Sequence, residues 1–132
     1  MNVENLQRMA DYIKTIPQEN FDMSQYRDYD DYRSMECKSI GCVIGHCIVL
    51  EDKNIALPRT SDGEIMFSSW SEKFTGLDAV SDEWDWCFNG LWEKSDNTAI
   101  GASKRIEWML NHGLPKNWIK QMYGEEKLCY NE

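Results

Sequence analysis

The run IGCVIGHCIVL, from Ile40 to Leu50, is apolar or small at every position except His46. In a 132-residue chain with a formal charge of -9, such a run belongs in the interior. Each large aliphatic side chain left in water forfeits roughly 1.5–3 kcal/mol of burial free energy. The run is long for a strand and suits a buried helix. The β-branched Val43, Ile44, Ile48 and Val49 would also fit a strand. Ser39 stands ready as an N-cap. Gly41 and Gly45 are four apart and share one helical face, where a second backbone can approach. The expectation is a closely packed core helix.

The flanking sequence is dominated by helix signals. Leu6, Met9, Ala10, Ile13 and Ile16 recur at three- and four-residue spacing, which predicts a helix over residues 3–16 that ends before Pro17. Residues 21–36, FDMSQYRDYDDYRSME, are the most acidic and tyrosine-dense stretch, readable as a short helix or an irregular segment. Asn54–Leu57 and Glu64–Ser68 could pair as strands around Ser61-Asp62-Gly63. Ser69 or Ser71 can cap a helix that runs through Phe74 and stops at Gly76. Ser81 followed by Asp82 and Glu83 opens another, with Trp84, Cys87, Phe88 and Leu91 on its apolar face. Thr98 or Asn97 caps the clearest helix, residues 98–112, which Gly113 and Pro115 terminate. Pro115 is also a natural first residue for a last helix carrying Trp118, Ile119 and Met122. The polar final eight residues are expected to fray. The fold class is therefore mainly α: a single compact domain spanning residues 1–132, with four to six short helices and at most one small β-hairpin near residues 54–68.

Composition narrows the function. With 42% hydrophobic residues the chain is globular, and it holds no apolar run near the length of a membrane span. The amphipathic N-terminus is unlike a secretory signal, which predicts a cytoplasmic protein whose five cysteines are free thiols. Residues 1–100 hold nine Lys and Arg against 19 Asp and Glu. Such a surface repels phosphate backbones, which argues against direct nucleic-acid binding, and attracts a basic partner.

Three kinds of site can be drawn. Cys37, Cys42 and His46 could supply three corners of a zinc tetrahedron, with Cys87, His112 or Cys129 as the fourth. No C-x2-C pair supports this, and buried cysteine with a hydrogen-bonded core histidine is the commoner outcome, so no metal or cofactor is expected. Cys42 and His46, one turn apart, also form a candidate thiol dyad, with the helix N-terminus lowering the thiol pKa. Phosphate loops and the H-E-x-x-H and G-x-S-x-G signatures are absent, and no carboxylate pair is marked for acid–base work, so no catalytic residue is assigned. Of the six tryptophans, at least four are expected in the core. Trp86 and Trp92 fall outside the strongest apolar stripe of their segment, which makes them candidates for stacking on a small-molecule ligand such as a nucleotide signal.

The order C-x-S-x-G-C-x-x-G-H (Cys37 to His46), Gly76-Leu77 after a helix, a Trp- and Phe-rich segment to Trp92, and Thr98 opening a helix with Arg105-Ile106 resembles a set of small phage and bacterial proteins of uncharacterised activity. The likeness spans about residues 37–115. It implies a phage or mobile-element setting and transfers no catalytic residue. In that setting a small acidic protein is expected to bind and inhibit a host or defence protein. The expected contact is Tyr26, Asp28, Tyr29, Asp30, Asp31, Tyr32 and Glu36, meeting a basic surface.

Overall fold

A computed structural model describes residues 1–24 and 42–131. Among them are six α-helices and no strands: α1 (Val3–Ile13), α2 (Val43–Cys47), α3 (Phe67–Thr75), α4 (Asp82–Phe88), α5 (Ala99–His112) and α6 (Trp118–Met122). This is a mainly helical single domain.

The spine is α1 against α5. α1 buries Leu6, Met9, Ala10 and Ile13, the stripe its spacing predicts, and Asn2 caps it by accepting from the Asn5 amide at 3.0 Å. α5 buries Ala102, Ile106 and Met109 toward the same interior. The small Ser103 brings the helices close enough for its Oγ to donate to the Ala10 carbonyl at 2.8 Å. The α1 N-terminus is tied to the end of α3, where the Asn2 amide donates to the Thr75 carbonyl (2.6 Å) and Asn5 Nδ2 to the Phe74 carbonyl (2.9 Å). Gly76 is needed there twice over. Its φ is +71°, and a Cβ would sit 3.2 Å from the backbone of Met1 and Asn2.

The caps read from sequence at Ser81 and Thr98 are present. Ser81 Oγ accepts from the Trp84 amide, and Thr98 Oγ1 from the Gly101 amide at 2.9 Å. Gly76 and Gly113 stop their helices as expected. Elsewhere the expectations need correcting. The apolar run is a single α-turn: Cys42 is extended at ψ −172°, the helix spans Val43–Cys47, and Ile48–Leu50 tightens to a 3₁₀ turn. Four β-branched side chains in seven residues work against a longer helix. Ser39, Ile40 and Gly41 lie outside the described residues.

The hairpin near residues 54–68 shrinks to one antiparallel bridge, Arg59 to Ile65. Asp52 curls residues 52–55 into a turn, taking the Asn54 amide on Oδ1 and the Ile55 amide on its carbonyl, and Pro58 has no N–H to give a ladder. The last helix starts at Trp118 and not at Pro115, whose carbonyl instead accepts from the Trp118 amide. Leu91 and Ile119 are exposed.

Candidate functional site

Two buried clusters among the described residues bring polar or reactive side chains together. The first is α2. His46 is buried, and its Nε2 lies 2.7 Å from the Asn20 carbonyl. A carbonyl only accepts, so this nitrogen carries the proton and is not free to ligate a metal. Cys47 Sγ points to the Met9 carbonyl at 3.7 Å, as a weak donor. The amides of Gly45 and Ile44 do lower the Cys42 pKa, as a helix N-terminus should. Burial outweighs them and pushes the thiol up to about 11. Cys47 and Cys87 are likewise driven above the usual thiol range, chiefly by burial. The expected lowering at Cys42 is thus reversed: at neutral pH these are packed thiols and not thiolates.

The metal set does not come together among the described residues, where no group of three or more His, Cys, Asp or Glu could hold an ion. Cys37 lies outside them. The proposed fourth ligands are otherwise placed: Cys87 against the Met109 sulfur, His112 tilted against the Trp108 ring, and Cys129 in the C-terminal 3₁₀ turn.

The second cluster was not anticipated. Arg105, on α5, is fully buried. Its Nη1 donates to Tyr130 Oη at 2.8 Å and lies 3.5 Å from Asp96 Oδ2. Tyr130 Oη in turn donates to the same carboxylate oxygen at 2.9 Å. The guanidinium sits over the Trp92 ring, 4.3 Å from its centroid. Trp86 packs edge-on to both Trp92 and Tyr130, and its Nε1 donates to the Arg105 carbonyl at 2.8 Å. Arg105 Nε and Nη2 have no hydrogen-bond partner. Burial, and secondarily the Asp96 charge, hold the Tyr130 hydroxyl well above the ordinary tyrosine pKa, although Arg105 pulls the other way. Gly101 makes the arrangement possible, since a Cβ there would lie 2.0 Å from Asp96 Oδ2.

This cluster corrects two expectations. Trp86 and Trp92 are both completely buried, with ring faces and edges taken by each other, Arg105 and Tyr130. In this arrangement neither offers a surface for stacking a ligand. The C-terminal tail does not simply fray, because Tyr130 anchors it. The broader expectation for tryptophan holds: Trp70, Trp84, Trp86 and Trp92 are core residues. One sequence signal for the cluster existed. Gly101, Arg105 and Met109 lie on a single i, i+4 row of α5, which puts a charge on the edge of an apolar stripe.

The surface offers little convergent chemistry among the described residues. An open groove of about 410 Å³ is lined by the aliphatic Ile48, Val49, Ile55 and Leu57 together with the charged Glu51, Asp52 and Lys53. The candidate contact residues Tyr26, Asp28, Tyr29, Asp30, Asp31, Tyr32 and Glu36 lie outside the described residues. No helix among the described residues is long and apolar enough to cross a membrane. Compared with models of known protein families, with curated proteins and with solved structures, the chain matches none.

Proposed function

We infer that the protein acts as a stoichiometric binder that inhibits or modulates another protein through an acidic surface, in the phage-type setting that its Cys37–His46 motif suggests, with a host or defence protein as target. The observation that carries this reading is uncompensated charge. The chain has 23 Asp and Glu against 14 Lys and Arg. Between described residues only three ion pairs form: Lys14–Asp11, Arg105–Asp96 and Lys120–Glu126. One of these is internal, so it adds nothing to surface neutralisation. A surface left this acidic steers a basic partner and discriminates against acidic ones. The candidate contact is the segment that concentrates Asp28, Asp30, Asp31 and Glu36 among Tyr26, Tyr29 and Tyr32, since tyrosines beside charges give anchors as well as steering.

Affinity capture from host cells at low salt, read by mass spectrometry, identifies the target. Binding to that target, measured with purified components, is expected to weaken at least tenfold between about 50 and 200 mM salt, in line with a contact built on several exposed charges. The combined reversal Asp28→Lys, Asp30→Lys, Asp31→Lys and Glu36→Lys should abolish it. Binding indifferent to both treatments overturns the reading. Among the described residues Trp86 and Trp92 are enclosed and the α2 thiols are protonated by burial, which weighs against the stacking and thiol-enzyme readings.

A further inference from the structure

The bridge between Arg59 and Ile65 fixes which way the backbone faces around it. The Pro58 carbonyl accepts from the Met66 amide at 2.8 Å, and the Thr60 amide donates to the Glu64 carbonyl at 2.9 Å, so these groups point at residues 64–66. In an extended chain the amides and carbonyls of successive residues point to opposite edges, so those of Leu57 and Arg59 point the other way. Among the described residues the amides and carbonyls of Leu57 and Arg59 make no hydrogen bond. Pro58 does not interrupt this outer edge, because its missing N–H belongs to the inner one. The proline that stops the internal ladder leaves the outer edge whole.

The edge runs between two depressions. One, of about 410 Å³, takes Leu57 with Ile48 and Val49. The other, of about 370 Å³, takes Ala56 and Pro58 with Trp70 and Phe74. Alternate residues thus face opposite sides, which is the period of an extended strand. Ile55 lines both depressions and stays exposed, its amide fixed to the Asp52 carbonyl at 3.0 Å. The charged residues lining the two depressions balance, Glu51 and Asp52 against Lys53 and Lys73. On a chain of net charge -9 this is a neutral patch. It complements uncharged side chains, whereas two copies of so acidic a chain repel each other.

We propose that residues 57–59 are an open strand edge that takes an extended segment of a partner protein, uncharged and aliphatic at alternate positions. The partner's backbone pairs with the amides and carbonyls of Leu57 and Arg59, and its alternating side chains fall toward the two depressions. Exposed edges are commonly blunted by proline or by charge. Here the proline faces inward, and the Arg59 side chain is drawn back along the hairpin, with Nη1 donating to the Gly63 carbonyl at 2.7 Å. The proposal is independent of the acidic-binder reading and concerns a different surface.

Selection of a displayed library of short random peptides on the full-length protein tests the edge. Enriched peptides are expected to carry aliphatic residues at every second position and to slow exchange of the Leu57 and Arg59 amides by about tenfold or more. Arg59→Pro removes an outward donor that no internal bond uses, while Arg59→Ala keeps it. The peptides should bind Arg59→Pro about tenfold more weakly than Arg59→Ala. N-methylation of an enriched peptide at alternate backbone positions needs no protein variant, and decides the matter should Arg59→Pro fail to fold. Methyl groups on one set of alternate amides should abolish binding, and on the other set leave it intact. No enriched peptide, protection of other amides in place of these two, equal binding to both Arg59 variants or equal tolerance of both methylated sets overturns the proposal. Protection of the two amides that rises with protein concentration alone assigns the edge to a second copy of this chain and overturns the partner segment.

Discussion

The two buried clusters invite comparison, because both place polar chemistry in the core and they differ in how large a polar demand the core must meet. The α2 cluster comes from neighbours in sequence. Cys42, His46 and Cys47 lie within six residues, and their burial follows from the aliphatic run that carries them. Its polar demands are small: a histidine N–H finds the Asn20 carbonyl, and thiols make weak donors. The Arg105 cluster joins α5 to Asp96 in the loop before it and to Tyr130 near the C-terminus. Its demand is large, a full charge taken out of water, and it is met only in part. Apolar context is enough to bury neutral groups. A buried charge needs several directed partners, and here they come from Asp96 and Tyr130.

That difference can be broken by mutation. The largest effect is expected at Arg105→Ala, which strands the Asp96 carboxylate and leaves a hole beneath Tyr130: about 3–5 kcal/mol lost in chemical denaturation. Arg105→Met combined with Asp96→Asn should recover most of this, since apolar volume can replace a buried pair. If the double variant is as unstable as Arg105→Ala, the cluster contributes more than charge balance. Next comes His46→Ala, which removes the buried hydrogen bond to the Asn20 carbonyl and opens a cavity, at about 2–3 kcal/mol. A loss as large as that of Arg105→Ala would erase the distinction between the clusters.

Gly101→Ala sharpens the comparison further. The new methyl meets the Asp96 carboxylate, which Arg105 and Tyr130 prevent from moving away, so a loss of about 1–2 kcal/mol is expected. In an Asp96→Ala background the same change should stabilise by up to about 1 kcal/mol, the ordinary helix gain of Ala over Gly. A double-mutant cycle of denaturation midpoints reads the sign reversal directly.

The smallest effect is alkaline. Burial raises the Cys42 thiol from the ordinary 9.0 to about 11, so the folded state holds its proton more tightly than the unfolded chain. Stability from this group is complete below pH 9 and declines as pH rises toward 11. Cys47, Cys87 and Tyr130 shift in the same direction and add to the slope. Cys42→Ala should cost about 1 kcal/mol at neutral pH and flatten part of the alkaline decline, followed as thermal midpoints between pH 8 and 11. An unchanged slope would mean that Cys42 titrates alike in both states.

Helix-forming signals were legible where they are local. The α1 stripe, the caps at Ser81 and Thr98 and the stops at Gly76 and Gly113 each depend on residues within one or two turns. The hairpin near residues 54–68 was overread, because alternating residues around a turn cannot reveal that Asp52 and Pro58 disrupt the pairing. Trp86 was misplaced for a related reason. Its burial comes from Trp92 and Tyr130 closing over it, which the stripe of its own short helix does not encode.

The sequence by itself determined that the chain is mainly helical, that the segment around α2 goes inside and that the surface is strongly acidic, because periodicity, hydrophobicity and net charge are sums over neighbouring residues. Only the tertiary structure decided that Arg105 is the buried charge and Tyr130 its cover. Arg105 and Tyr130 are 25 positions apart, and Tyr130 and Asp96 are 34. Whether groups so separated meet depends on the packing of α5 and the return of the C-terminal segment. The charge pays its desolvation cost only where that packing supplies partners at hydrogen-bonding distance.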